Sequence, residues 1–121
     1  MVLNSNYYIL INNTTTIERQ RFTTAHEIGH ILLKHNFKNL TYEQLEQEAN
    51  MFAARILMPM CVLNALNCET VEQIVNLCNV SFESATIRLE RLNLVKSRNK
   101  FLTNPLEVKV LSNFNDFIKQ H

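Results

Sequence analysis

The sequence predicts a mainly helical α+β fold with a small N-terminal strand region, and three observations lead there. From Ile17 onward, apolar residues recur at helical spacing in one segment after another. A single β-branched and aromatic run, Tyr7-Tyr8-Ile9-Leu10-Ile11, stands before them and ends at Asn12-Asn13. Pro59 and the turn Asn79-Val80-Ser81 punctuate the helical stretches. The chain has 121 residues, one domain's worth, and its 46% hydrophobic content suffices for one core.

The run Tyr7–Ile11 is read as a strand. Next to a reactive site, such a strand is placed to pair with an extended peptide. The helix that follows is expected to start near Thr15, because Thr15-Thr16-Ile17-Glu18 forms a capping box. A rival box, Thr24-Ala25-His26-Glu27, would start it nine residues later and tie Glu27 to the backbone. The periodicity of Ile17, Arg21, Thr24, Ile28, Ile31 and Leu32 favours the earlier start and leaves Glu27 in the helix interior.

Within that helix lies His26-Glu27-Ile28-Gly29-His30. Histidines at i and i+4 share one face with Cβ atoms about 6 Å apart, so both imidazoles can reach one ion. Glu27, about 100° round the helix from His26, stands beside such an ion and can take a proton from water. Gly29 is the only glycine in the chain, and in a helix it costs about 1 kcal/mol relative to alanine. Close packing of another element against the backbone there is the expected reason. His35 lies about 140° round from His30, so it is expected at the surface and outside the ion's reach.

A site of this kind needs a third protein ligand. Aspartate occurs once, at Asp116, so an acidic third ligand is expected to be a glutamate. Residues 41–57 form the next helix: Thr41 is the candidate N-cap, Leu45, Ala49, Phe52, Ala53, Ile56 and Leu57 the apolar stripe, and Pro59 the stop. Glu48, flanked by Leu45 and Phe52, faces the protein at the stripe's edge and is the preferred ligand; Glu46, near the other margin, is the weaker rival, and Glu43 points away. Asn50 is a candidate partner for a metal-bound histidine, and Tyr42 and Arg55 are both candidate oxyanion stabilisers.

Residues 21–33, Arg21-Phe22-Thr23-Thr24-Ala25-His26-Glu27-Ile28-Gly29-His30-Ile31-Leu32-Leu33, followed by Glu48-Ala49-Asn50-Met51-Phe52-Ala53-Ala54-Arg55-Ile56-Leu57-Met58-Pro59, resemble the ImmA/IrrE family of zinc metallopeptidases in order and spacing. With Val80-Ser81 to Leu94, the resemblance covers most of residues 17–95. It implies a compact zincin-like domain over residues 1–121, with a metal-site core in 1–60 and a C-terminal helical subregion in 61–121. It makes His26, His30 and Glu48 the ligands of one Zn2+ per chain and Glu27 the catalytic base of peptide-bond hydrolysis. Family members carry more chain before the signature helix, so the N-terminal sheet is expected to be reduced or cut short here. Relatives cut helix-turn-helix repressors in mobile elements or stress circuits, which implies a protein substrate of that type.

Beyond Pro59, residues 59–66, 70–78 and 82–92 read as helices, the last two joined by Asn79-Val80-Ser81 as in a helix-turn-helix. This carries the alternative function, a non-catalytic regulator that binds DNA or protein. Glu83, Arg88, Glu90 and Arg91 balance to zero on the would-be reading helix, although Lys96, Arg98 and Lys100 follow it, so the charges argue against DNA. Phe101-Leu102 is expected as a short strand, and residues 105–120 as a terminal helix covering the core. A net charge of +1 gives no pull toward nucleic acid or membrane, and no apolar run is long enough to span a bilayer. Three cysteines without a C-x-x-C pair, and an N-terminus unlike a signal peptide, point to reduced thiols in the cytoplasm.

Overall fold

A computed structural model describes residues 2–3, 6–98 and 105–121, and the chain separates into two compact units, Met1–Leu57 and Met58–His121. In the first unit, strands β1 (Val2–Leu3) and β2 (Asn6–Tyr7) pair antiparallel, Val2 opposite Tyr7 and Leu3 opposite Asn6. The strand expected over residues 7–11 is therefore a ladder only at its first residue. A strand needs a partner for its backbone groups, and among the described residues β2 has only the two-residue β1.

Helix α1 (Ile17–Leu32) is capped by Thr16, whose hydroxyl accepts the Arg19 N–H at 3.2 Å. The later start is excluded, since the Thr24 hydroxyl donates to the Gln20 carbonyl at 2.8 Å inside the helix. Past Leu32 the chain turns through Lys34 in the left-handed region (φ 55°) into a short 3-10 turn, His35–Phe37. Helix α2 (Tyr42–Leu57) begins with a reciprocal cap: the Thr41 hydroxyl accepts the Gln44 N–H, and the Gln44 side chain accepts the Thr41 N–H.

α1 packs on α2 through small residues. Ala25 and Gly29 are buried one turn apart on α1, as are Ala49 and Ala53 on α2. A Cβ on Gly29 would lie 2.9 Å from Phe52 Cδ1 and 3.1 Å from Phe52 Cβ and Cγ. The helix keeps its one glycine because α2 presses against the backbone at that turn.

The second unit is all helix among its described residues: α3 (Met60–Ala65), α4 (Val71–Cys78), α5 (Phe82–Ser97), α6 (Pro105–Asn113) and α7 (Asn115–Gln120). Met58, Leu63, Ile74 and Leu92 are its fully buried large side chains. Thr70 and Gln73 form a capping box on α4, Asn79 closes α4 in the left-handed region (φ 53°), and the Ser81 hydroxyl caps α5. α5 runs five residues past the expected end at 92. The expected terminal helix is broken at Phe114, whose N–H is shared between the Val110 and Leu111 carbonyls, both at 3.2 Å. The first half of that helix packs on α3. Phe101-Leu102 lies outside the described residues. No helix among the described residues is long and apolar enough to cross a membrane.

Candidate metal centre

The two histidines of α1 meet at their Nε2 atoms, 3.1 Å apart, with the rings edge to face. Both are partly shielded. The Glu46 carboxylate, one turn into α2, straddles them: Oε2 is 3.0 Å from His26 Nε2 and Oε1 is 3.0 Å from His30 Nε2. A Glu27 carboxylate oxygen lies within 4.8 Å of a ring nitrogen of each histidine. All of these side chains come from the first unit.

The outer ring nitrogens are also engaged. His26 Nδ1 is 2.8 Å from Asn50 Oδ1, and since an amide oxygen only accepts, Nδ1 donates and Nε2 turns its lone pair inward. That lone pair faces a carboxylate oxygen and a second imidazole nitrogen. When His30 also presents a lone pair at Nε2, three acceptors meet around one point, an arrangement that a cation among them stabilises. A tetrahedral centre with bonds of about 2.0–2.1 Å holds its donors about 3.3–3.4 Å apart, within a few tenths of an ångström of what is found here. The donor set thus fits a divalent zinc-type ion.

Glu48, expected as the third ligand, is not brought to the histidine pair. Its Oε2 is 2.9 Å from His35 Nε2 and 3.3 Å from Lys38 Nζ. The hydrogen bond from His35 is the chief reason its carboxyl sits below the ordinary glutamate range; what desolvation there is opposes this, and Lys38 adds to it. The geometric reason lies in where α2 meets α1. Leu45, Phe52 and Ile56 point in one direction, but Ile56 is 51% exposed, whereas Ala49 and Ala53 are fully buried about 60° further round. Glu46 and Asn50 flank that contact on the same side, and Glu48 is about 200° from Glu46.

His35 also departs from expectation, being 6% exposed and not at the surface. Its angle was reckoned on a helix that ends at Leu32; the Lys34 reversal returns the ring to within 2.6 Å of His30 Nδ1. Beside these groups lies a cleft of about 360 Å3 whose walls include Tyr7, Tyr8, Ile9 and Tyr42, with Glu27 and Glu46 exposed to it. Arg55, the other candidate oxyanion donor, is not among its lining residues.

A peptidase-family model described as the IrrE N-terminal-like domain matches residues 2–90, which include every side chain just described. The chain belongs to that family. Among curated proteins, the radiation response metalloprotease IrrE of Deinococcus radiodurans is 46% identical over 66 aligned residues, covering 46% of this chain and 20% of that protein. The chain thus matches a fifth of that IrrE protein's length. No solved structure matches. Membership of the IrrE N-terminal-like family bears out the ImmA/IrrE resemblance read from the two sequence blocks, and the family is one of metal-dependent peptidases.

Proposed function

We propose that this chain is a zinc-dependent endopeptidase, binding one Zn2+ through His26 Nε2, His30 Nε2 and the Glu46 carboxylate, with Glu27 as the general base. The observation that carries the reading is the convergence of His26 Nε2, His30 Nε2 and the Glu46 carboxylate to within 3.0–3.1 Å of one another. When bound, the ion lends Lewis acidity to the scissile carbonyl and to water.

The protein's own groups account for the remaining steps. Glu27 accepts a proton from the attacking water as the new C–O bond forms, then returns it to the amide nitrogen as the C–N bond breaks. Asn50 holds the His26 ring in its inward-facing tautomer. Tyr42, in the cleft wall with Glu27, is placed to donate to the developing oxyanion in preference to Arg55. An extended peptide is accommodated along Tyr7–Ile9, which form one wall of the cleft beside Glu27 and Glu46.

For the substrate, the family resemblance and a relative named for the radiation response support a helix-turn-helix repressor of a stress circuit or mobile element, cut in the cytoplasm. The α4–α5 pair gives no support to DNA reading: Arg88, counted among the charges of the would-be reading helix, is buried and donates from Nε to the Met58 carbonyl at 2.9 Å.

Co-expression with a candidate repressor tests metal, base and substrate together. Wild type is expected to cleave it, chelator to stop cleavage, and Glu27→Gln to bind zinc normally while losing about 10²–10⁴-fold in rate. Full cleavage by Glu27→Gln would remove the base assignment, and a protein that takes up no zinc would remove the metal centre.

A further inference from the structure

Two polar side chains beside the proposed metal centre have no part in the reaction, yet they are tied into it. His35 Nδ1 is 2.6 Å from His30 Nδ1, and His35 Nε2 is 2.9 Å from Glu48 Oε2, which also meets Lys38 Nζ at 3.3 Å. His35 is almost fully buried, so its ring has little water to turn toward. The rings of His30 and His35 stand 4.8 Å apart, edge to face.

The protons along this row follow one from another. Glu48 Oε2 stands between the Lys38 ammonium, which can only donate, and His35 Nε2, so the carboxylate oxygen accepts from both and His35 Nε2 is the donor. In neutral His35 the other nitrogen, Nδ1, is then an acceptor. The short Nδ1–Nδ1 contact needs one proton, and it comes from His30. With Nδ1 protonated, neutral His30 has its lone pair at Nε2, facing His26 and Glu46.

His26 reaches the same state more simply, through an amide oxygen that cannot donate. An imidazole partner is ambiguous, because either of its nitrogens can carry the proton. Glu48 removes that ambiguity. We propose that His35, oriented by Glu48, is a positioning residue that locks His30 in the tautomer whose Nε2 is available to a metal ion. This rests on His30 being a ligand, as proposed above, and it gives a task to the glutamate that the sequence pattern had put forward as a ligand itself.

The test uses the whole chain, first without metal and then titrated with zinc against a chromophoric chelator. In long-range 1H–15N spectra of the zinc-loaded protein, His30 is expected to keep its proton on Nδ1 and to bind the ion through Nε2. His35→Phe, which keeps a ring but no acceptor, is expected to weaken zinc binding about 10–100-fold, while His35→Asn, whose amide oxygen replaces Nδ1, stays within about threefold of wild type. The inference is overturned if His35→Phe binds zinc like wild type, if His35→Asn is as weak as His35→Phe, or if His30 carries its proton on Nε2. Should His35→Phe fail to fold by circular dichroism, the His30 tautomer and the His35→Asn affinity decide. Wild type that binds no zinc would sink the metal centre, whereas wild type that binds zinc regardless of His35 would sink only the positioning role.

Discussion

Among the described residues of 58–121, the side chains with least exposure are four large ones, Met58, Leu63, Ile74 and Leu92, with one alanine, Ala85; in residues 1–57 they are Ala25, Ala49 and Ala53, joined by Gly29 and a histidine. Among the described residues, the one charged side chain buried in the second unit, Arg88, donates to a backbone carbonyl of that unit. In the first unit, the polar side chains His26, His30, His35, Glu46, Glu48 and Asn50 are bonded to one another. Burial in one region is spent on filling space. In the other, small residues let two helices approach until their polar groups share a single point. Stability and reactivity are thus written in different residue types, which different substitutions can separate.

The largest expected effect lies on the space-filling side. Leu63→Ala removes a side chain with no exposed surface and is expected to cost about 2–5 kcal/mol of unfolding free energy, read from denaturant melts. A loss below about 1 kcal/mol would mean that the site collapses to fill the void and that the contrast in packing is overstated.

On the site side, Glu46→Ala is expected to weaken zinc binding more than 100-fold, beyond the roughly 10–100-fold typical of outer-shell groups, with little change in the melt of the metal-free protein. Glu46 is a third exposed, so its removal opens no cavity. Glu48→Ala, by contrast, is expected to fall inside that 10–100-fold range, acting through His35. If the two losses come out reversed, the third ligand belongs at Glu48 and the helix contact must lie on its other flank.

Much of this was legible in the residues themselves. The His26–His30 face, the interior position of Glu27, the Thr41 cap of α2 and a close neighbour at Gly29 all follow from short-range chemistry, whereas the expected Thr15–Glu18 box gives way to a cap one residue later, at Thr16. What was not legible depended on long-range contact. Glu46 and Glu48 sit at opposite margins of one apolar stripe, and ranking them required knowing that α2 meets α1 at Ala49 and Ala53, where there is little hydrophobic mass to mark the spot. Its visible trace is the matched pair of small residues on each helix, Ala25 with Gly29 and Ala49 with Ala53. His35 was misplaced because a wheel drawn past Leu32 ignores the left-handed turn at Lys34, and no glycine or proline advertises that turn.

A smaller effect tests the junction itself. Gly29→Ala replaces a poor helix former with the best, a gain of about 1 kcal/mol, but the new methyl would meet Phe52 at 2.9–3.1 Å, and such overpacking costs about 1–3 kcal/mol. A net loss of about 1 kcal/mol is expected, with weaker zinc binding as α2 is pushed off. A net gain in stability would show that Phe52 yields freely and that the glycine is not required by packing.

The smallest effect concerns the thiols. Cys68 is buried, and desolvation pushes its thiol above the ordinary range, whereas Cys78 is only half-buried. Alkylation of the native protein is therefore expected to mark Cys78 before Cys68, since the reagent reaches the half-buried thiol more readily and burial holds Cys68 away from its reacting thiolate form. The same shift has a sign for stability. A thiol whose folded value is raised ionises first in the unfolded chain, so its contribution is complete below the ordinary thiol range and is lost as pH rises through the raised value. Melts from neutral pH into the alkaline range should show that loss in wild type and lose part of it in Cys68→Ala; an identical slope in both would mean that the Cys68 thiol meets water more often than its burial allows.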